Sequence, residues 1–115
     1  MSFPLRPEHL AAMYDCFRQL PPFSEWKLPE SDEIEFRTPA RKDVFGEFQD
    51  GDPPVITVSS ARHSHTNTII LTLTHEMVHL AQSIHGHDNK NQHNADFRKR
   101  ANRVCKLHGW DSLAY

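Results

Sequence analysis

The segment from Thr66 to His85 constrains the fold of this chain more than any other part of the sequence. Its apolar residues recur at intervals of three and four, which places them on one face of a helix. They are Ile69, Ile70, Leu73, Met77, Leu80, Ala81 and Ile84. Gly86 follows directly, and glycine is the residue that most often ends a helix, because it adopts positive φ without strain. The pattern therefore predicts a long, buried helix.

This helix contains the string His75-Glu76-Met77-Val78-His79, which has the form HExxH. Because residues four positions apart differ by about 40° around a helix, both histidine rings can reach one ion. Glu76 directly follows His75 and lies about 100° further around the helix, where its carboxylate can take a proton from water bound to that ion. Metalloproteases use this arrangement with zinc. The alternative is two core histidines, which would bury two imidazoles and a carboxylate without a strong partner.

The number of histidines also indicates a metal site. The chain has nine histidines in 115 residues, and seven of them fall between residues 63 and 93. Histidine is the commonest metal ligand in proteins. Because a catalytic zinc takes three protein ligands and a water, the sequence has to supply a third ligand besides the two histidines of HExxH.

Four residues compete for the third position, and we favour His93. It falls in the first turn of a predicted last helix, which can pack back across the HExxH helix and aim His93 at the same ion. His85 stands where the string HExxHxxGxxH has its third ligand, but Gln82 replaces the glycine that turns the chain out of the helix. In an unbroken helix His85 points about 80° away from His75. His87 and Asp96 also compete for this position.

The remaining patterns predict an α+β fold. Apolar residues alternate with polar ones in three short segments, as in half-buried strands, and the last two segments flank a Gly51 turn. The predicted elements are a helix over residues 7–20, strands around residues 33–37, 44–49 and 55–58, the helix over residues 66–85 and a last helix over residues 91–107. This order predicts a single α+β domain over residues 1–115, with three or more mostly antiparallel strands. Its HExxH helix is typical of a small zincin-like domain.

Composition and cysteine content exclude several classes of protein. With 37% hydrophobic and 24% charged residues, the chain can form one modest core. The two cysteines, Cys16 and Cys105, are too few for a zinc ribbon, and we expect Cys105 in the core. The N-terminus lacks the apolar run of a signal peptide, and no segment approaches the roughly 20 apolar residues of a membrane span. We therefore predict a cytoplasmic protein with reduced thiols and no membrane contact.

The charge is unevenly divided along the chain. The net charge is −2, so the whole chain is not a polycation built to coat nucleic acid. Residues 1–55 carry six basic and eleven acidic side chains, whereas residues 56–115 carry seven basic and four acidic ones. The basic residues of the last helix are Arg98, Lys99, Arg100, Arg103 and Lys106. They predict either a solvated helix face or a weak DNA-binding patch.

The segment around HExxH resembles the SprT-like metallopeptidases, which are relatives of the Spartan protease. In that family a histidine after a variable loop begins a second helix, in the form HGxxF. This chain has His93 and Phe97 at those positions, with Asn94 in place of the glycine. The strand over residues 54–59 and the apolar lead into HExxH over residues 68–79 also match. The resemblance covers roughly residues 34–110.

The resemblance implies a zinc peptidase that hydrolyses peptide bonds in protein substrates. It implies His75, His79 and His93 as ligands of one zinc ion and Glu76 as the general base. Because Spartan-type members degrade proteins crosslinked to DNA, it also suggests DNA-associated proteins as substrates. The rival hypotheses are a non-catalytic, zinc-stabilised module that binds nucleic acid or a partner protein, and a metal-dependent hydrolase that acts on other bonds.

Other residues give weaker hypotheses about the same site. The strand over residues 44–49 can pair with an extended peptide substrate if it lies at a sheet edge. His63 and His65 follow the third strand and can line the cleft, although they are also typical of an exposed loop. Tyr115 or His108 can stabilise an oxyanion, which zincins often do with tyrosine or histidine. A structural role is the alternative for each of these residues.

Overall fold

The fold is known from a computed structural model, which describes residues 5–61, 66–87 and 93–111. Within these residues, three α-helices and three β-strands follow one another in the predicted order. They are α1 (Pro7–Arg18), β1 (Glu35–Arg37), β2 (Gly46–Gln49), β3 (Val55–Val58), α2 (Thr66–Ile84) and α3 (Ala95–His108), with short 3-10 turns at Phe23–Glu25 and Ser31–Glu33. The predicted α+β class is therefore confirmed.

The three strands form one sheet in the order β1-β3-β2, so β3 lies at its centre. The β2–β3 pair is antiparallel, as the hairpin predicts, but β1 runs parallel to β3. The expectation of mostly antiparallel strands was therefore wrong for one of the two pairs. Strand β2 runs opposite to β1, and the hairpin then reverses the chain a second time, so β3 runs in the same direction as β1. Side-chain alternation could not reveal this, because it is the same in both kinds of pairing.

Helix α2 is the central element of the core. Its residues Ile69, Leu73 and Met77 are fully buried, and they belong to the same hydrophobic cluster as Ile56 and Val58 of β3. The helix ends where the sequence predicts, because Gly86 takes a positive φ of 71°. The backbone N–H of His87 then donates to the carbonyl of Gln82 at 2.7 Å, which closes the helix end as a Schellman motif.

Helix α3 begins later than predicted, at Ala95 instead of near residue 91. The side chain of Asn94 accepts a hydrogen bond from the backbone N–H of Phe97, so Asn94 caps the helix. His93 therefore lies just before α3 and not in its first turn. At the other end, Gly109 takes a φ of 72° and terminates the helix.

Candidate metal centre

Helix α2 holds the HExxH residues rigidly because it is buried along most of its length. Glu76 and His79 are only 6% and 5% exposed, and His75 is partly buried beside them. The rings of His75 and His79 lie 5.0 Å apart between centroids, as expected for residues one helical turn apart on the same face. The helix therefore presents two imidazoles and a carboxylate to the same place, as the spacing predicts.

His93 approaches this pair from the segment just before α3. Its Nε2 lies 3.3 Å from Nε2 of His75, and one nitrogen from each of the three histidines lies within 4.8 Å of the others. A tetrahedral zinc ion with Zn–N distances of about 2.0–2.1 Å sets its ligand atoms about 3.3–3.4 Å apart. The distance between the His75 and His93 nitrogens matches this value, and the nitrogen of His79 lies near enough to both for the three to hold one ion.

Phe97 supports all three imidazoles from one side. Its ring centroid lies 4.7 Å from that of His79, nearly parallel to it, 4.7 Å from that of His93 and 4.9 Å from that of His75. Phe97 is itself buried on α3 and belongs to the hydrophobic core. Its place four residues after His93 thus has a physical reason, because it packs the helix that follows His93 against the histidine cluster.

The other three candidates for the third position are engaged elsewhere. His85 donates from Nε2 to the carbonyl oxygen of Trp26 at 2.8 Å. His87 and Asp96 pair with each other at 3.0 Å, and Asp96 also accepts a hydrogen bond from Arg100 at 2.9 Å. Over the described part of the chain, the histidine cluster is the one group of potential ligand residues whose donor atoms converge.

Glu76 faces the sheet across a narrow gap. Burial raises the pKa of its carboxyl to about 8, and the negative charge of Glu47 on β2 contributes a smaller part of this rise. Glu47 is in turn held by the guanidinium of Arg41, at 3.1 and 3.4 Å from its two carboxylate oxygens. A second carboxylate thus lies beside the cluster, and neither the HExxH spacing nor the strand pattern had singled it out.

A cleft runs between β2 and α2, and it has two parts that share Gly46, His75 and Glu76. The larger part is a mostly apolar cavity of about 520 Å³, and the other is a more polar cavity of about 350 Å³. The apolar cavity is further lined by Val44, Phe45, Thr68, Leu71 and Thr72, and the polar one by Glu47, Phe48, Gln49, His79 and His93. One wall of the cleft is therefore β2, an edge strand of the described sheet.

Gly46 allows β2 to approach α2 this closely. A Cβ atom at position 46 would lie 2.6 Å from Cγ2 of Thr72, 2.9 Å from the carbonyl oxygen of Thr57 and 3.0 Å from Oε2 of Glu76. These distances are shorter than van der Waals contact. The signal was present in the sequence, since a glycine inside a strand often marks a close approach of another chain segment.

We therefore expect Gly46→Ala to reduce the free energy of unfolding by about 1–3 kcal/mol, because the added methyl group has no room. Urea denaturation measures the change. The matched control is Gln49→Ala at the exposed end of the same strand, which should change stability by less than about 0.5 kcal/mol. Equal stability of the Gly46→Ala variant and wild type would contradict the close packing of β2 on α2.

The weaker hypotheses have mixed outcomes. His63, His65 and Tyr115 lie outside the described residues. His108 donates from Nε2 to the carbonyl of Pro21 at 2.9 Å and packs among aromatic rings, and it lines neither part of the cleft. Cys105 is buried, as expected for a core residue. No helix within the described residues combines the length and apolarity that crossing a bilayer requires.

Together, the α+β fold and the three converging histidines define a zincin-like domain with a candidate metal centre. The chain belongs to the SprT-like family, whose model matches residues 16–112. This match extends beyond the resemblance seen in the sequence, because it includes the end of α1. It contains the whole histidine cluster and both walls of the cleft. No curated protein matches the chain at a significant level.

Proposed function

We propose that the protein is a zinc-dependent endopeptidase, in which His75, His79 and His93 hold one zinc ion and Glu76 acts as general base. The observation that carries the proposal is the convergence of the three histidine nitrogens beside a buried carboxylate in a cleft. Membership of the SprT-like family supports it. A zinc ion, when bound, supplies Lewis acidity that polarises a carbonyl group and lowers the pKa of water to about 7.

Glu76 moves the proton in this proposal. Amide hydrolysis needs a base to take a proton from the attacking water and an acid to protonate the leaving amine. A single carboxylate can do both in turn, because the proton that it accepts in the first step is the one that it donates in the second. The position of Glu76, next to His75 on a rigid helix and facing the cleft, suits this role.

Strand β2 suits the binding of an extended peptide. It is an edge strand of the described sheet and forms the wall of the cleft opposite His75 and Glu76. A peptide that pairs with such an edge gains main-chain hydrogen bonds, while pockets beside the strand select its side chains. The apolar cavity beside Phe45 and Leu71 would then take a large apolar side chain next to the scissile bond. A protein or peptide substrate is therefore favoured over a small molecule.

Phe45→Ala is expected to lower kcat/KM by about tenfold for peptides with a large apolar residue beside the cleaved bond, because roughly 1.4 kcal/mol of apolar contact is lost. Phe45 is 47% exposed, so the substitution should cost little stability. The control is Leu107→Ala on α3, which removes an equally exposed apolar side chain that lines neither cavity. An equal kcat/KM for wild type and Phe45→Ala on these peptides would contradict the substrate position.

Removal of metal tests the proposal as a whole. Dialysis against a strong chelator should abolish cleavage of an unfolded protein substrate, because water then loses its activation and the carbonyl its polarisation. One equivalent of zinc per chain should restore the activity, as measured by the release of new peptide termini. Cleavage that continues in the metal-free protein would contradict the proposal.

The rival function, a zinc-stabilised binding module, requires a closed coordination shell with four protein ligands. His85 and His87 are the nearest candidates in sequence, and each is hydrogen-bonded to another group. As far as the described residues go, this observation favours an open fourth position, as in catalytic sites. The cleft beside the histidine cluster likewise favours an enzyme, because it gives a substrate access to the site.

Association with DNA has weaker support from the charges on α3. Arg103 forms an ion pair with Glu25 at 2.7 Å, and Arg100 pairs with Asp96 and stacks over Trp26. The exposed Lys99 and Lys106 remain on this helix with Arg98. Because ion pairing reduces the charge offered to phosphates, we propose no more than a weak, salt-dependent contact that could bring the enzyme to DNA-associated proteins.

A further inference from the structure

Two side-chain amides connect one histidine of the cluster to the start of α3. Gln82 is fully buried, and its Oε1 accepts a hydrogen bond from Nδ1 of His79 at 2.9 Å. Its Nε2 donates to Oδ1 of Asn94 at 3.0 Å. Asn94 is the residue after His93 and the N-cap of α3. These bonds thus join His79 to the residue beside the third histidine of the cluster.

The backbone fixes the direction of the whole chain of hydrogen bonds. Oδ1 of Asn94 accepts from the N–H of Phe97 at 3.0 Å, and its Nδ2 donates to the carbonyl of His87 at 3.1 Å. A flipped Asn94 amide would lose both bonds. With Asn94 fixed, Gln82 must point its NH₂ group at Asn94 and its oxygen at His79, because the reverse would set two oxygens against each other.

This direction determines the tautomer of His79. Since Oε1 of Gln82 can only accept, Nδ1 of His79 must carry the proton, and Nε2 then keeps its lone pair for a metal. Hydrogen bonds of this kind orient a histidine ligand and increase its basicity. The same amide chain fixes Asn94 and therefore the backbone next to His93.

We propose that Gln82 is a positioning residue for the metal centre. It orients the ring of His79 directly and, through Asn94, holds His93 where both histidines face the same metal ion. This inference rests on the proposed zinc site. It also explains two features of the sequence together. Gln82 occupies the place of the glycine in HExxHxxGxxH, Asn94 replaces the glycine of HGxxF, and the two residues are hydrogen-bonded to each other.

The test is zinc affinity, measured by competition with a chromophoric chelator on the purified full chain. We expect Gln82→Met, which has a similar volume but no amide, to bind zinc about 10- to 100-fold more weakly than wild type. The cobalt-substituted variant should also show a shifted visible spectrum, because the orientation of His79 changes. Gln82→Glu keeps the acceptor for His79, so it should recover part of the affinity, and it replaces the first variant if that one does not fold.

A double-mutant cycle tests the link through Asn94. Asn94→Gly removes the amide, although glycine is nearly as good an N-cap, so α3 should remain intact. Because either substitution breaks the Gln82–Asn94 bond, the two losses of zinc affinity should be less than additive in the double variant. Strictly additive losses would overturn the link between the two residues.

The control is Thr74→Val, another buried polar residue of α2, whose hydroxyl bonds to the backbone of its own helix. The zinc affinity of Thr74→Val should equal that of wild type. If Thr74→Val lost as much affinity as Gln82→Met, the inference would be overturned, because a general destabilisation of the helix would then explain both losses. If wild type binds zinc, and both Gln82→Met and Gln82→Glu bind it as tightly as wild type does, the role of Gln82 is overturned while the proposed metal site stands. If wild type binds no zinc, the proposed metal site fails with it.

Discussion

Glu76→Gln is expected to reduce peptide hydrolysis by at least about 100-fold while leaving zinc bound. General acid–base catalysis contributes typically 10²- to 10⁴-fold, and an amide can neither take a proton from water nor return it to the leaving amine. Glutamine has nearly the same size, and a buried neutral amide costs less than a buried carboxylate, so the fold should be retained. The measurement is the rate of cleavage of an unfolded protein, together with the zinc content of each protein.

A control for this substitution makes the same chemical change outside the cleft. Glu8 lies in the exposed first turn of α1, and Glu8→Gln should cleave at the wild-type rate with the wild-type zinc content. If Glu76→Gln retains zinc and cleaves as fast as wild type, Glu76 is not the base. A variant that loses zinc as well would instead indicate that Glu76 contributes to metal binding.

His93→Ala is expected to weaken zinc binding by at least about 100-fold and to abolish hydrolysis. The substitution removes one of three ligands. Changes to groups that only support a ligand already lower metal affinity by about 10- to 100-fold, so the loss of a ligand itself should lower it at least as much. His93 is exposed, so its removal leaves no cavity in the core. Zinc affinity, cleavage rate and thermal stability of the metal-free protein together measure the effect.

The matched controls are the histidines that competed with His93 in the sequence. His85→Ala removes a bond to the carbonyl of Trp26, and His87→Ala removes a bond to Asp96. Neither variant should lose zinc affinity by more than about twofold. The choice of third ligand would be wrong if His87→Ala or His85→Ala lost the metal while His93→Ala kept it.

The helices and the HExxH pair could be predicted because their signals are local. In α2, apolar residues at helical spacing and a terminal glycine are enough to predict the helix and its end, since both depend on residues a few positions apart. The convergence of His75 and His79 follows from the same geometry. Strand positions were found in the same way, from alternation.

Features that depend on contacts between distant segments could not be predicted from patterns. The parallel pairing of β1 with β3 depends on where the chain crosses the sheet, and alternation carries no such information. The start of α3 depends on Asn94, whose side chain caps the helix at Ala95. The sequence pattern alone predicted a start near residue 91. His93 therefore reaches the cluster from the segment before the helix.

The cleft and its supporting residues were also beyond prediction from the sequence. The role of Gly46 depends on Thr72 and Glu76 being opposite it, and the bond between Gln82 and Asn94 spans a loop. In the sequence, Gly46 is a glycine inside a predicted strand, and Gln82 is a polar residue inside a predicted buried helix. The partner that explains each of these residues is identified only by the fold.

The most direct test of the proposed metal centre is a crystal structure of the zinc-bound protein, with the metal located by its anomalous scattering. We expect one zinc ion held by one nitrogen from each of His75, His79 and His93, with a water in an open position facing the cleft beside Glu76. A zinc ion closed off by a fourth protein ligand, or bound away from these three histidines, would contradict the proposed centre.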